Sequence, residues 1–150
     1  MYTIEEYDRE KTKVLKYVIY RKRTEQEIRR KFKSDIESDL LEDIIEELKE
    51  NKYIDDQNYI SRSINDFIAL KNLSIKEIKY KLLSKGVSAN LIDDYIEKNR
   101  EELDEYERKS AENIVLKKSV SMDEMQIEQY LMKKGYSEEN RKNALDKIEE

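Results

Sequence analysis

Apolar residues return along this chain at helical spacing, often as doublets, and the pattern comes in three similar sets. Val14-Leu15 and Val18-Ile19 share one face of a helix over about residues 5–21. A shorter second helix is marked by Ile28 with Phe32, then by Ile78 with Leu82, then by Ile127 with Leu131. The three isoleucines lie 50 and then 49 residues apart. A third helix follows each time. Its stripe is Ile36, Leu40, Leu41, Ile44, Ile45 and Leu48, then Leu91, Ile92, Tyr95 and Ile96, then Ala144, Leu145 and Ile148. The first helices of the later sets carry Tyr59, Ile60, Ile64, Phe67 and Ile68, and then Leu103, Ala111, Ile114 and Val115. The periodicity predicts an all-α chain of three tandem three-helix repeats, each resembling a helix-turn-helix. The chain 1–150 is one such array, with units at about 5–52, 56–99 and 101–150. Asn99 either separates two helices or lies within one long helix.

Each second helix opens on a capping box, in which a side chain accepts a first-turn N–H and a Glu or Gln three residues on reaches back. The boxes are Thr24-Glu25-Gln26-Glu27, Ser74-Ile75-Lys76-Glu77 and Ser121-Met122-Asp123-Glu124. In the third, Asp123 with Gln126 forms an equally good box and fits the apolar register better. Gly86 and Gly135 end the second and third of these helices, with a left-handed C-cap expected at Gly86. The first has no glycine. Its turn, Ser34-Asp35-Ile36, is shorter, and Asp35 is the residue there that best tolerates a left-handed conformation. Asp56 is read as the N-cap of the fourth helix. In the last unit Asn140-Arg141 replaces the Leu91-Ile92 pair, as a polar face on a terminal repeat would require.

Composition narrows the function. Only 37% of the 150 residues are hydrophobic while 43% are charged, and mean hydropathy is −0.99. That suits a thin, elongated stack of helices, each burying one stripe. Neither cysteine nor histidine occurs. Thiol nucleophiles, disulfides, common zinc sites and imidazole acid–base chemistry are thereby excluded. The carboxylate pairs Asp55-Asp56 and Asp93-Asp94 lack catalytic company, so an enzyme is not expected, nor a metal or other cofactor. No apolar run spans a membrane, and the acidic start Met1-Tyr2-Thr3-Ile4-Glu5-Glu6 is not a signal peptide. A cytoplasmic protein, expected to be a monomer, follows. Net charge is −5, which disfavours naked nucleic acid as the main partner.

Charge is also sorted by position. Between Lys11 and Lys33 ten cations face only Glu25 and Glu27; between Asp35 and Asp56 ten acids face only Lys49 and Lys52. Milder versions recur later. Stacked in parallel, the units would line one edge with cations and the other with acids. The candidates for partner or DNA contact are Arg21, Lys22, Arg23, Arg29, Arg30, Lys31, Lys33, Lys71, Lys76, Lys79, Lys81, Lys85, Lys117, Lys118, Lys133 and Lys134. Any one of them is equally a solvated residue paired along its helix, as Glu25 with Arg29. Tyr59, Tyr80, Tyr95 and Tyr130 lie on or beside apolar stripes and are read as core edge rather than base-stacking platforms.

Several segments resemble the RecX family. Tyr20-Arg21-Lys22-Arg23-Thr24-Glu25-Gln26-Glu27-Ile28 is similar to its Y-R-x-R-S/T-x-x-E-L segment. Tyr53-Ile54-Asp55-Asp56 followed by Tyr59 resembles G-Y-L-D-D-x-x-F. Lys81-Leu82-Leu83-Ser84-Lys85-Gly86-Val87 and Leu131-Met132-Lys133-Lys134-Gly135-Tyr136-Ser137 resemble its L-x-x-K-G-hydrophobic element. The likeness runs from about Lys13 to Ile148. Lys52 departs from it, standing where the family usually has glycine, and the short start implies that the N-terminal segment of longer relatives is missing.

The resemblance implies three three-helix units in a curved rod. It implies a cytoplasmic regulator of the RecA recombinase, in DNA repair and the SOS response. Such a protein binds in the groove of the RecA filament on single-stranded DNA and inhibits RecA's ATPase, strand exchange and co-protease activities. RecA is then the partner, with weak or indirect nucleic-acid contact. The alternative is a helix-turn-helix-like DNA-binding regulator acting without RecA. Its would-be reading helix, the third of each unit, is acidic.

Overall fold

A computed structural model describes residues 2–70 and 72–149, the last two of these by backbone alone. Among the described residues there are nine helices and no strand. They are α1 (Ile4–Tyr20), α2 (Glu25–Phe32), α3 (Ser38–Glu50), α4 (Asp56–Leu70), α5 (Ile75–Ser84), α6 (Ala89–Lys98), α7 (Arg100–Lys118), α8 (Glu124–Lys134) and α9 (Glu138–Glu149). Ile148, expected to face inward, and Lys71, expected on the basic edge, lie outside the described side chains.

The doublet pattern becomes three successive cores. Val14, Val18, Ile28, Phe32, Leu41, Ile44, Ile45 and Leu48 close the first, with Ile36 and Ile54 sealing its turns. Ile60, Ile64, Ile78, Leu82, Ile92 and Ile96 form the second, and Ala111, Val115, Ile127, Leu131, Tyr136, Ala144 and Leu145 the third. Asn99 does break the chain, since α6 ends before it and α7 begins after it. Yet α7 serves two cores: its Leu103 and Tyr106 join the second, and its Ala111 and Val115 the third. The second and third triplets are therefore joined through one helix, whereas the first core stops at Ile54.

Helix ends explain the turns. Three helices finish in a Schellman motif, with the N–H of C″ bonded to the carbonyl of C3. The bonds are Tyr53 to Leu48 at 2.9 Å, Val87 to Leu82 at 3.2 Å and Tyr136 to Leu131 at 3.1 Å. The motif needs a left-handed residue before C″, and Lys52, Gly86 and Gly135 supply it with φ of 61°, 89° and 91°. Lys52 thus adopts the glycine conformation without being glycine. Asp35 does not. The turn after α2 closes instead by donation from the N–H groups of Asp35 and Ile36 to the Phe32 carbonyl, at 3.0 and 2.9 Å. Among the described non-glycine residues Lys52 alone has positive φ.

Other expectations shift. Ile19 is 64% exposed, Tyr80 77% and Leu83 38%. Each sits at the margin of its stripe, outside the core that the stripe builds. Asp55, not Asp56, caps α4: its Oδ1 accepts from the Asn58 N–H at 3.1 Å. Asn140 does not present a polar outer face but is buried.

Candidate partner-binding surface

The third capping box is settled in favour of Asp123, which accepts from the Gln126 N–H at 2.8 Å while Gln126 answers at 3.0 Å. Thr24 and Ser74 form the other two boxes as expected. Their hydroxyls also reach across to the following triplet. Thr24 Oγ1 donates to the Lys85 carbonyl at 2.6 Å, and Ser74 Oγ donates to the Lys134 carbonyl at 2.6 Å. Carbonyls at a helix C-terminus lack an intrahelical partner, so each hydroxyl satisfies one of them. The N-terminus of α2 therefore meets the C-terminus of α5, and the N-terminus of α5 meets the C-terminus of α8. The three second helices adjoin end to end in the order α8, α5, α2, with opposite dipole ends facing.

A carboxylate from the following triplet completes each junction. Asp56 Oδ1 accepts from the first amide of α2, Glu25 N–H, at 3.2 Å. Burial pushes the Asp56 carboxyl up, against the effect of that hydrogen bond. At the second junction Glu107, only 2% exposed, takes the first amide of α5, Ile75 N–H, at 2.8 Å. Its other oxygen accepts from Ser137 N–H at 2.9 Å and from Asn140 Nδ2 at 3.0 Å. Tyr106 adds a bond to the Leu73 carbonyl at 2.6 Å, and Ser110 shares one with the Tyr136 hydroxyl at 2.7 Å. Burial pushes both phenols up. Sequence reading missed Glu107 and Ser110. The available signal was two polar residues, three apart, on the inward face of α7 beside Leu103, Tyr106 and Ala111.

The sequence-predicted cations divide into two groups. Arg29 is held inside its triplet by two bonds to Glu42, at 2.7 and 3.0 Å, and one to Glu25 at 3.0 Å. Hydrogen bonding to Arg29 holds the Glu42 carboxyl low. Burial pushes Glu25 up, but Lys49 and Arg29 outweigh it and the group stays below its usual value. Lys79 pairs with Asp93 at 2.6 Å in the same place one triplet on. In the last triplet the sign is reversed, with Glu128 on α8 and Arg141 on α9 at 3.3 Å. Arg23 is buried, its guanidinium 3.9 Å from the centre of the Tyr17 ring. Lys134 lies 3.9 Å from Glu77 and 5.7 Å from the Tyr130 ring.

The second group is more available. Arg21, Lys22, Arg30, Lys31, Lys33, Lys76, Lys81, Lys85, Lys117 and Lys133 are exposed, and Lys118 is half-buried with its ammonium 5.0 Å from the Tyr130 ring. None of the eleven has an ion-pair partner among the described residues. No helix among them is long and apolar enough to cross a membrane.

No family model matches the chain. Curated relatives do. The regulatory protein RecX of Finegoldia magna is 36% identical over 84 residues, 55% of this chain and 41% of that protein. The regulatory protein RecX of Streptococcus mutans is 28% identical over 95 residues, 63% of this chain and 37% of that protein. The matched segments thus span about two-fifths of those relatives. The crystal structure of RecX from Lactobacillus salivarius aligns with a TM-score of 0.82 and 24% identity, over 98% of this chain and 99% of that one. A second crystal structure, of a regulatory protein RecX, gives 0.81 and 24%, over 93% and 73%. The class defined by fold and surface is an all-α protein of serial helix triplets. The resemblance to the RecX family holds in both sequence and fold.

Proposed function

We propose that this chain is a non-enzymatic cytoplasmic regulator that binds the RecA filament on single-stranded DNA. Bound there, it lowers RecA's ATPase, strand exchange and co-protease activities. The observation that carries the reading is the end-to-end series of α8, α5 and α2. Their cations Arg30, Lys31, Lys76, Lys81 and Lys133 stay exposed and outside ion pairs among the described residues. Kinship with RecX regulatory proteins supports the choice of partner. Exposed Arg21, Lys22, Lys33, Lys85, Lys117 and half-buried Lys118 extend the proposed contact edge.

The edge can meet acidic protein surface or phosphate, and the acidic third helices limit binding to free DNA. Arg29, Lys79 and Arg23 support the edge by fixing helices rather than by touching a partner. RecA ATPase on single-stranded DNA, titrated with the purified protein, tests this reading. Dose-dependent inhibition is expected. No inhibition at several-fold excess over RecA, together with salt-sensitive binding to bare duplex DNA, favours a direct DNA-binding regulator.

A further inference from the structure

The hydroxyls at the two junctions do more than cap helices. Thr24 Oγ1 accepts from the Glu27 N–H at 3.1 Å and donates to Lys85. Ser74 Oγ accepts from the Glu77 N–H at 3.0 Å and donates to Lys134. Both residues are fully buried. A hydroxyl can accept and donate at once, whereas a carboxylate only accepts. At the third box, where no further triplet follows among the described residues, the residue is Asp123, which caps but cannot donate.

The glycines show the reciprocal rule. A Cβ on Gly86 would stand 2.3 Å from Gln26 Cβ, and one on Gly135 would stand 2.8 Å from Lys76 Cβ. Both clashes are with the first turn of the preceding triplet's second helix. In the first triplet, which no described triplet precedes, the corresponding turn runs through Ser34-Asp35, with neither a glycine nor a left-handed residue. Among the described residues, a donor occurs where a triplet follows, and a glycine where a triplet precedes.

We infer that Thr24 and Ser74 are positioning residues that pin each triplet to the next, and so set the spacing of the basic second helices offered to a partner. Separate side-chain choices converge on it: a hydroxyl at the two caps that meet a following helix, and a glycine at the two turns that meet a preceding one. The two pins are unequal. The Ser74 junction is backed by Glu107, Tyr106 and helix α7, which serves both flanking cores, while at the Thr24 junction Asp56 is the carboxylate that joins the two triplets and their cores are separate. The Thr24 pin therefore controls the softer joint. The effect on a partner rests on the RecA-filament reading; the spacing itself does not.

The experiment is a distance measurement on the free 150-residue chain. It has no cysteine, so spin labels at Ser38→Cys and Asn90→Cys report across the first junction. Labels at Arg62→Cys and Asn90→Cys report within the second triplet. Thr24→Asp keeps the capping box, as Asp123 does, and removes the donor. The cross-junction distance is expected to shift or broaden by several ångströms, with the within-triplet distance and the helical circular dichroism unchanged. Thr24→Ser is expected to restore the native distribution. Ser74→Asp asks the same of the second junction, with a smaller response, and keeps the question answerable if one variant fails to fold. An unchanged cross-junction distribution in a folded Asp variant overturns the pin.

In RecA ATPase assays Thr24→Asp is expected to raise the half-inhibitory concentration about tenfold. A shifted distance with undiminished inhibition overturns the link to the partner. Absence of inhibition by the native chain overturns the RecA reading alone, because the distance arm is decided without RecA.

Discussion

Glu107 Oε1 accepts a hydrogen bond from Asn140 Nδ2 at 3.0 Å, and both side chains are buried. The pair ties the middle of α7 to the first turn of α9, while the second Glu107 oxygen holds the start of α5. Glu107→Ala leaves three donors without their acceptor, the amides of Ile75 and Ser137 and the side chain of buried Asn140. Unfolding free energy in urea is expected to fall by about 2–4 kcal/mol. Glu107→Gln retains one carbonyl oxygen and is expected to lose about half of that. A loss below about 1 kcal/mol for the alanine variant would mean that water replaces the carboxylate.

The left-handed positions predict opposite signs for opposite substitutions. Gly86→Ala meets both a positive φ and the Gln26 side chain at its root. It is expected to cost about 2 kcal/mol or more. Lys52→Gly relieves the same conformation where nothing demands a side chain. It is expected to raise stability by roughly 0.5 kcal/mol, after the entropy cost of glycine. Paired urea midpoints measure both. A destabilised Lys52→Gly variant would contradict the Schellman assignment at α3.

The clamp between Arg29, Glu25 and Glu42 carries a pH dependence. Both carboxyls sit below their ordinary values when folded. A lowered folded value contributes stability above the unfolded carboxylate range, near about 4.3 for glutamate, and that stability is lost as pH falls through the folded value. Arg29→Met should therefore cost about 0.5–1 kcal/mol at pH 7, a modest figure because the pair is partly solvated. The difference from the native chain should vanish at acid pH. A pH-independent difference between the two denaturation curves would assign the loss to packing instead.

Leu82 and its neighbour Leu83 separate buried stripe from margin. Leu82 is 1% exposed within the second core, while Leu83 stands at its edge. Leu82→Ala is expected to cost about 2–5 kcal/mol, and Leu83→Ala well under about 1 kcal/mol. Equal losses would place both in one continuous core.

These contrasts mark how far the sequence could be read. Period and capping boxes locate the helices because they depend on residues within one helix, as with Ile78, Leu82 and Ser74. Leu83 and Ile19 lie one residue off the stripe and Tyr80 two, and their exposure depends on packing beyond a single helix. Asp56 illustrates the same boundary. Its place in the chain suits a cap, but its carboxylate serves the α2 amide across the junction. The terminal irregularities were visible as irregularities, and only the contacts give their cause. Asp123 and Asp35 stand where no triplet among the described residues adjoins them to require a hydroxyl or a glycine. The basic edge was legible as a charge count. Which cations are spent within a triplet, as Arg29 and Lys79 are, depends on partners 13 and 14 residues away on another helix.

The central claim is that the exposed cations of the second helices engage a RecA filament. Co-sedimentation with RecA assembled on single-stranded DNA tests it most directly, comparing the native chain with the charge reversal Arg30→Glu/Lys81→Glu. The native chain is expected to pellet with filaments and to remain in the supernatant with DNA alone. The charge-reversed chain is expected to keep its helical circular dichroism and stay in the supernatant. A native chain that does not pellet with filaments, or a reversed chain that pellets equally well, would contradict the account.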